Sequence, residues 1–294
     1  MDDSLQELGS IETKKGLGFA ETLLFSTIRI EAQTKEGVVV TGTGFFFEFP
    51  VADGVVRVVI TNRHVIKGTV AGTLRFTTEE EGGGPALGSV FEAQVTDGFE
   101  ELWHPHPNPN VDLCALPFAA AIRWAAEKDI KLFYTLMDPS SIISAENLSE
   151  LDAIDDIIMV GYPNGLWDEH NNLPIVRKGI TATHPNYDFN NKSEFLIDAA
   201  CFPGSSGSPV FLYKPGSTLR LKHDDRPRQG NILALLGILY AGPQHVAGGS
   251  ISFENLPRDA DFEVKIPNNL GVVIKAKELL AFANCWQKAK HTDD

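Results

Sequence analysis

The chain has 294 residues, 43% of them hydrophobic and 22% charged, with 26 Gly and 17 Pro. That is turn-rich globular material with room for a substantial core, neither disordered nor fibrous. Its formal net charge of −14 argues against a general binder of nucleic acid or anionic membrane, though not against a local basic patch.

The opening stretch, MDDSLQELGSIETKKG, is acidic and lacks the apolar stretch of a secretory signal. Nowhere is an apolar run long enough to span a bilayer. The three cysteines, Cys114, Cys201 and Cys285, are too few and too far apart for a disulfide framework or a zinc pattern. The expectation is a soluble cytoplasmic protein that binds neither membrane nor nucleic acid.

Short segments rich in Val, Ile, Phe and Thr follow, at residues 23–31, 38–49, 55–61, 69–77 and 89–95. Ala52-Asp53-Gly54 reads as a hairpin turn and residues 79–88 as a Gly-rich loop. A strand at 111–116 closes this group. Residues 119–131 have helical composition, and the stretch up to 150 reads as an irregular linker. Strands resume at 157–161, 174–183, 193–199, 208–213, 232–240 and 271–274, with a polar insert at 214–230 read as an exposed hairpin loop. Leu279, Ala283 and Trp286 then fall at i, i+4, i+7, the apolar stripe of a helix over 275–290. The expected division is an N-terminal segment (1–20), a β-barrel (21–118), a linker (119–150), a second β-barrel (151–274) and a C-terminal helix and tail (275–294). This is an all-β chain of two six-stranded antiparallel barrels, with a cleft between them in which both halves can meet.

Three segments carry residues suited to acyl transfer, which needs a nucleophile, a base, a group that orients the base, and oxyanion donors. In Pro203-Gly204-Ser205-Ser206-Gly207-Ser208-Pro209 a serine lies among glycines just before a strand. There Ser206 is a candidate nucleophile, with the N–H groups of Gly204 and Ser206 as oxyanion donors; a plain Ser-Gly hairpin turn fits the same string equally well. In Thr61-Asn62-Arg63-His64-Val65 the histidine follows a strand end, where it is either a base or a capping histidine. In Val111-Asp112-Leu113-Cys114-Ala115-Leu116 an acid opens an apolar strand; buried carboxylates need partners, and an imidazole N–H is one. A strand-edge Asp capping a turn is the alternative. His104 and His106 lie in a Pro-rich turn, and the remaining histidines receive no role. No His, Glu and Cys set has metal-ligand spacing.

The order His64, Asp112, Ser206 resembles that of the trypsin-like (chymotrypsin-fold) serine proteases. Thr41-Gly42-Thr43-Gly44-Phe45-Phe46 looks like the family's Gly-Ser/Thr-Gly-Phe strand. Within the family, Ile197-Asp198-Ala199-Ala200 leading into the serine motif, together with Val160-Gly161-Tyr162-Pro163-Asn164-Gly165 and Val176-Arg177-Lys178-Gly179-Ile180, is similar to the bacterial HtrA/Do-like branch, here without a PDZ domain. The resemblance implies a chymotrypsin-like pair of barrels, a Ser-His-Asp triad that needs no cofactor or metal, and a protein or peptide substrate. It also implies a substrate pocket at Ala199, Ala200 and Cys201 and along Leu239, Tyr240, Ala241 and Gly242. With no acid at Ala200, small or apolar side chains are expected before the scissile bond.

Two positions depart from the family pattern. Ser205 stands where digestive members carry the Asp that receives a newly cleaved N-terminus. Ser208 stands where Gly is usual, so a side chain is expected to crowd the site. Besides an active endopeptidase, two readings therefore remain. One is an inactive peptide-binding module. The other is a latent protease switched on by a regulatory protein partner, with the acidic N-terminus or the 214–230 insert as contact surface.

Overall fold

The computed structural model describes residues 14–288, apart from 15, 19, 53, 222–223 and 252–259. The N-terminal half is built from β1 (Thr27–Thr34), β2 (Val39–Val51), β3 (Gly54–Thr61), β4 (Thr69–Glu79), β5 (Pro85–Val95), β6 (His104–Pro105) and β7 (Cys114–Pro117). These lie in the order β5-β4-β1-β2-β3-β7-β6, with β8 (Leu132–Phe133) paired to β4. A single helical turn, α1 (Arg63–Ile66), follows β3. Asp53, in the expected β2–β3 turn, lies outside the described residues; the flanking pair Val51 and Gly54 closes the hairpin. The loop expected over 79–88 is shorter, because β4 and β5 stay paired as far as Glu79 and Pro85.

A closed six-stranded barrel was expected here, and the hydrogen bonding differs. Among the described residues no ladder joins β5 to β6. The cause lies in the sequence: β6 runs into His104-Pro105-His106-Pro107-Asn108-Pro109, and proline has no N–H to give a ladder. Side chains nonetheless fill the interior behind this seam, where Phe99 and Trp103 are buried with Phe76, Phe91 and Phe118.

The second half closes fully. Its barrel runs β10 (Ile175–Thr181), β11 (Glu194–Asp198), β16 (Leu270–Lys275), β13 (Asp224–Ala241), β12 (Pro209–Leu221) and β9 (Asp156–Gly161). The insert at 214–230 is a hairpin, and its arms are strands: β12 and β13 extend through it, pairing Ser217 with Gly230 and Leu221 with Asp224. His223 lies outside the described residues. A further hairpin, β14 (Gln244–Ile251) with β15 (Ala260–Pro267), stands as its own two-stranded sheet. Between the halves run α2 (Ala119–Ala126) and α3 (Ala145–Glu150). The C-terminal helix begins as a 3-10 segment, Ala276–Phe282, before α4 (Ala283–Lys288). Among the described residues no helix is long and apolar enough to cross a membrane.

Strand β2 shows how the halves are joined. Side chains alternate across a strand, so Phe46 points into the first barrel's core while Phe45, Phe47 and Phe49 point the other way. That second group meets Phe211, Leu235 and Ile238 of the second barrel and Leu279 and Phe282 of the C-terminal segment in one shared core. The stripe read in the sequence is real: Leu279 is fully buried there, and Ala283 and Trp286 pack against it.

Candidate active site

Asn62 follows β3 in extended conformation, and the turn of α1 carries His64 straight out of it. The Asn62 amide donates to the Asp112 carbonyl at 2.9 Å. The Asp112 carboxylate then takes two bonds from His64, one from the backbone N–H at 3.1 Å and one from ring Nδ1 at 2.5 Å. An ionised carboxylate only accepts, so Nδ1 carries the proton and Nε2 keeps its lone pair. Burial pushes the Asp112 carboxyl up, but the hydrogen bonds and charge of His64, with the charge of Arg63, outweigh it and hold the group below its ordinary value. Asp112 sits in the loop just ahead of β7 rather than inside the strand.

Ser206 lies in the loop between β11 and β12, which two positive-φ glycines shape. Gly204 has φ +81 and Gly207 φ +88, a region that favours glycine. A Cβ on Gly207 would stand 1.9 Å from the Thr43 carbonyl oxygen. Thr43 of β2 grips this loop from the other half. Its N–H donates to the Ser206 carbonyl at 2.9 Å. Its hydroxyl donates to the Gly204 carbonyl at 3.0 Å and accepts the Tyr162 N–H at 3.0 Å. Its own carbonyl accepts from the Thr61 hydroxyl at 2.7 Å.

The loop's backbone pairing is selective. The N–H groups of Ser205, Gly207 and Ser208 donate to Phe202, Leu239 and Ser205 carbonyls. Those of Gly204 and Ser206 have no acceptor among the described residues. The Pro203 carbonyl accepts from the Asn164 N–H at 2.6 Å. Because a trans peptide points its C=O and N–H in opposite directions, the Gly204 N–H faces away from that supporting loop. Two free donors, on Gly204 and on Ser206 itself, are what an anionic oxygen needs.

The Ser206 hydroxyl donates to the Tyr240 carbonyl at 3.4 Å. Among the described residues it has no hydrogen bond to His64. Tyr240 lines two adjoining cavities. One, of about 290 Å³, holds Ser206, Cys201, Phe202, Pro203, Leu239, Ala241 and Gly242. The other, of about 590 Å³, holds Asp112, Asn110, Lys192 and Glu194. The Tyr240 phenol donates to Glu194 at 3.0 Å, and burial first, then Glu194, pushes it up to about 12.

Of the expected pocket residues, Cys201, Tyr240, Ala241 and Gly242 line the smaller cavity, while Ala199 is in the second barrel's core. Ala200 is not among the lining residues; its carbonyl instead accepts from the Arg177 guanidinium. Leu239 also lines the smaller cavity, as expected, together with Phe202 and Pro203, which the sequence reading does not include. The three cysteines are unpaired, and burial pushes the Cys201 thiol up to about 11. Ser208 does not crowd the cavity: it is fully buried, and a Cβ on Gly161 would lie 2.1 Å from its hydroxyl. Glycine at 161 makes the room. Among the described residues no three His, Cys, Asp or Glu side chains are grouped closely enough to hold a metal ion.

The sequence model of the trypsin-like peptidase domain matches residues 37–217. No curated protein matches the chain. Among solved structures it is similar to the active form of the Rv3671c protease from M. tuberculosis, at 16% identity, 89% coverage of this chain, 80% of that chain and TM-score 0.43. It is also similar to a mutant of the tobacco etch virus protease, at 12% identity, 94% and 84% coverage and TM-score 0.47. With the domain matched over more than half its length, and His64, Asp112 and Ser206 all within the match, the chain belongs to the trypsin-like peptidase domain family.

Proposed function

We propose that this chain is a serine endopeptidase of the HtrA-like kind that cleaves protein or peptide substrates in the cytoplasm. The observation that carries the reading is the pair of free N–H groups, Gly204 and Ser206, beside the Ser206 hydroxyl. In the mechanism the hydroxyl leaves the Tyr240 carbonyl and turns to His64 Nε2. His64 takes its proton as Ser206 Oγ attacks the scissile carbonyl carbon. Asp112 orients the ring and stabilises the imidazolium. The two N–H groups bind the oxyanion as the tetrahedral intermediate forms. His64 then protonates the leaving amine, and water repeats the sequence on the acyl-enzyme. The extended edge at Tyr240–Gly242 pairs with the substrate backbone as an added strand.

The test is labelling by a fluorophosphonate probe, which should modify wild type and leave Ser206→Ala untouched. A folded wild type that resists the probe sinks the claim of resting activity. One observation favours a second reading, a latent or inactive peptide-binding module: the hydroxyl rests on Tyr240 and not on His64. Digestion of casein with and without a cell extract separates the two, since latency predicts cleavage only when a regulatory partner is present.

A further inference from the structure

Arg177 is a cation in an unusual setting. It sits on β10, paired with Met159 of β9 in the wall of the closed barrel. Its side chain is largely enclosed, and among the described residues no carboxylate pairs with it. Its Nε is buried without a hydrogen-bond partner. Burial lowers its pKa, and only the Cys201 side chain counters that. A guanidinium out of water without a counter-ion is costly, so its hydrogen bonds are the place to look for a reason.

They converge on one stretch of chain. One amino group donates to the Ala200 carbonyl, and the other donates to Ser205 Oγ at 2.7 Å. Ala200 and Ser205 bracket the segment that holds Phe202 and Pro203 of the cavity wall and the free Gly204 N–H. Ser205 itself is fully buried and directly precedes the nucleophile candidate. The planar fork of arginine binds two oxygens in fixed relation, which a flexible ammonium does not. The segment's other ties, Thr43 to Gly204 and Asn164 to Pro203, come from β2 and from the loop after β9.

We propose that Arg177 is the positioning residue of the nucleophile loop. Its guanidinium staples the Ala200–Ser205 segment to the barrel wall, so that the Gly204 and Ser206 N–H groups face one point without any external trigger. This rests on the endopeptidase reading for its kinetic consequence, but not for the placement of the loop.

The experiment compares wild type with Arg177→Met, Arg177→Lys and Arg177→Ala on a peptide substrate, with amide hydrogen exchange over residues 199–208 measured alongside. Losing an aligned oxyanion donor costs roughly 10²-fold in kcat, so Arg177→Met should fall by about that factor, with KM within about threefold because the Tyr240–Gly242 edge is untouched. Arg177→Lys should recover only part of the rate, and methylguanidinium should restore at least about tenfold in Arg177→Ala. Exchange at Ser205, Gly207 and Ser208 should accelerate in Arg177→Met while the barrel strands stay protected. Unchanged exchange in Arg177→Met overturns the proposal whether or not the wild type is active. So does kcat within threefold of an active wild type. An inactive wild type whose loop still loosens in Arg177→Met sinks the endopeptidase reading and leaves the staple standing.

Discussion

The Thr43 hydroxyl donates to the Gly204 carbonyl at 3.0 Å, reaching from a strand of the first half to the loop of the second. The same oxygen accepts the Tyr162 N–H, so one side chain satisfies a carbonyl and an amide at once. Thr43→Val keeps the shape and removes both bonds. Leaving buried polar groups unpaired costs about 1–3 kcal/mol, and a shift of about 1.4 kcal/mol in transition-state binding is tenfold in rate. Denaturant unfolding should show the first loss. Kinetics should show kcat down by roughly tenfold. Full activity in a destabilised variant would limit Thr43 to a structural role.

The Asp112 carboxyl is held below its ordinary value of 3.8. A group depressed on folding adds stability above its unfolded pKa and gives it up as pH falls through the folded one. Wild type should therefore exceed Asp112→Asn in stability by a constant margin near neutrality, and the margin should shrink below about pH 4. Urea titrations of both proteins across the acid range measure it. A margin independent of pH would mean the carboxylate's charge is not what His64 feels. In turnover, Asp112→Asn leaves Nδ1 without an anionic acceptor, and kcat should drop by roughly 10³-fold or more.

Gly207→Ala places a methyl group 1.9 Å from the Thr43 carbonyl oxygen and 2.5 Å from the Thr61 hydroxyl, on a residue with φ +88. Backbone strain alone is on the order of 1–3 kcal/mol, before the collision is counted. The unfolding midpoint should fall by about 5–10 °C and probe labelling of Ser206 should be lost. A stable, reactive Gly207→Ala protein would show that the loop can rearrange away from Thr43.

Cys114 and Cys201 are buried, and burial pushes both thiols up, Cys201 to about 11. The thiolate is the reactive form, so neither should react quickly near neutral pH. Iodoacetamide should leave peptide turnover within about twofold, whereas the fluorophosphonate abolishes it. The reverse pattern would point to a cysteine-dependent site and away from Ser206.

Much of the candidate site is legible because its residues sit in short strings. His64, Asp112 and Ser206 each stand in a motif a few residues long, and two of them, His64 and Asp112, are directly bonded in the fold. The cavity was legible only in part. Ala200 lies beside Cys201 in sequence, but its carbonyl is turned to Arg177, and Phe202 and Pro203 take the wall instead. Arg177 had no local signal at all, since its partners lie 23 and 28 residues away. The strand β15 carries a readable signal: Phe262, Val264 and Ile266 alternate with polar residues. The β12–β13 hairpin was readable as a hairpin but not in its length, since polar composition does not exclude strand. Prolines 105, 107 and 109 were visible throughout, yet only the sheet order shows that they cost the first half its closing ladder.

The core shared by Phe47, Phe211 and Phe282 bears on how the molecule comes apart. Each of these side chains is worth about 1.5–3 kcal/mol when fully buried, and neither half can bury its own share without the other. Heat should therefore melt the protein in a single calorimetric transition. A chain cut in the stretch between α2 and β8 would yield two fragments with complementary sticky faces, insoluble apart and capable of reassembly when mixed, which makes this peptidase fold a scaffold for fragment-complementation reporters.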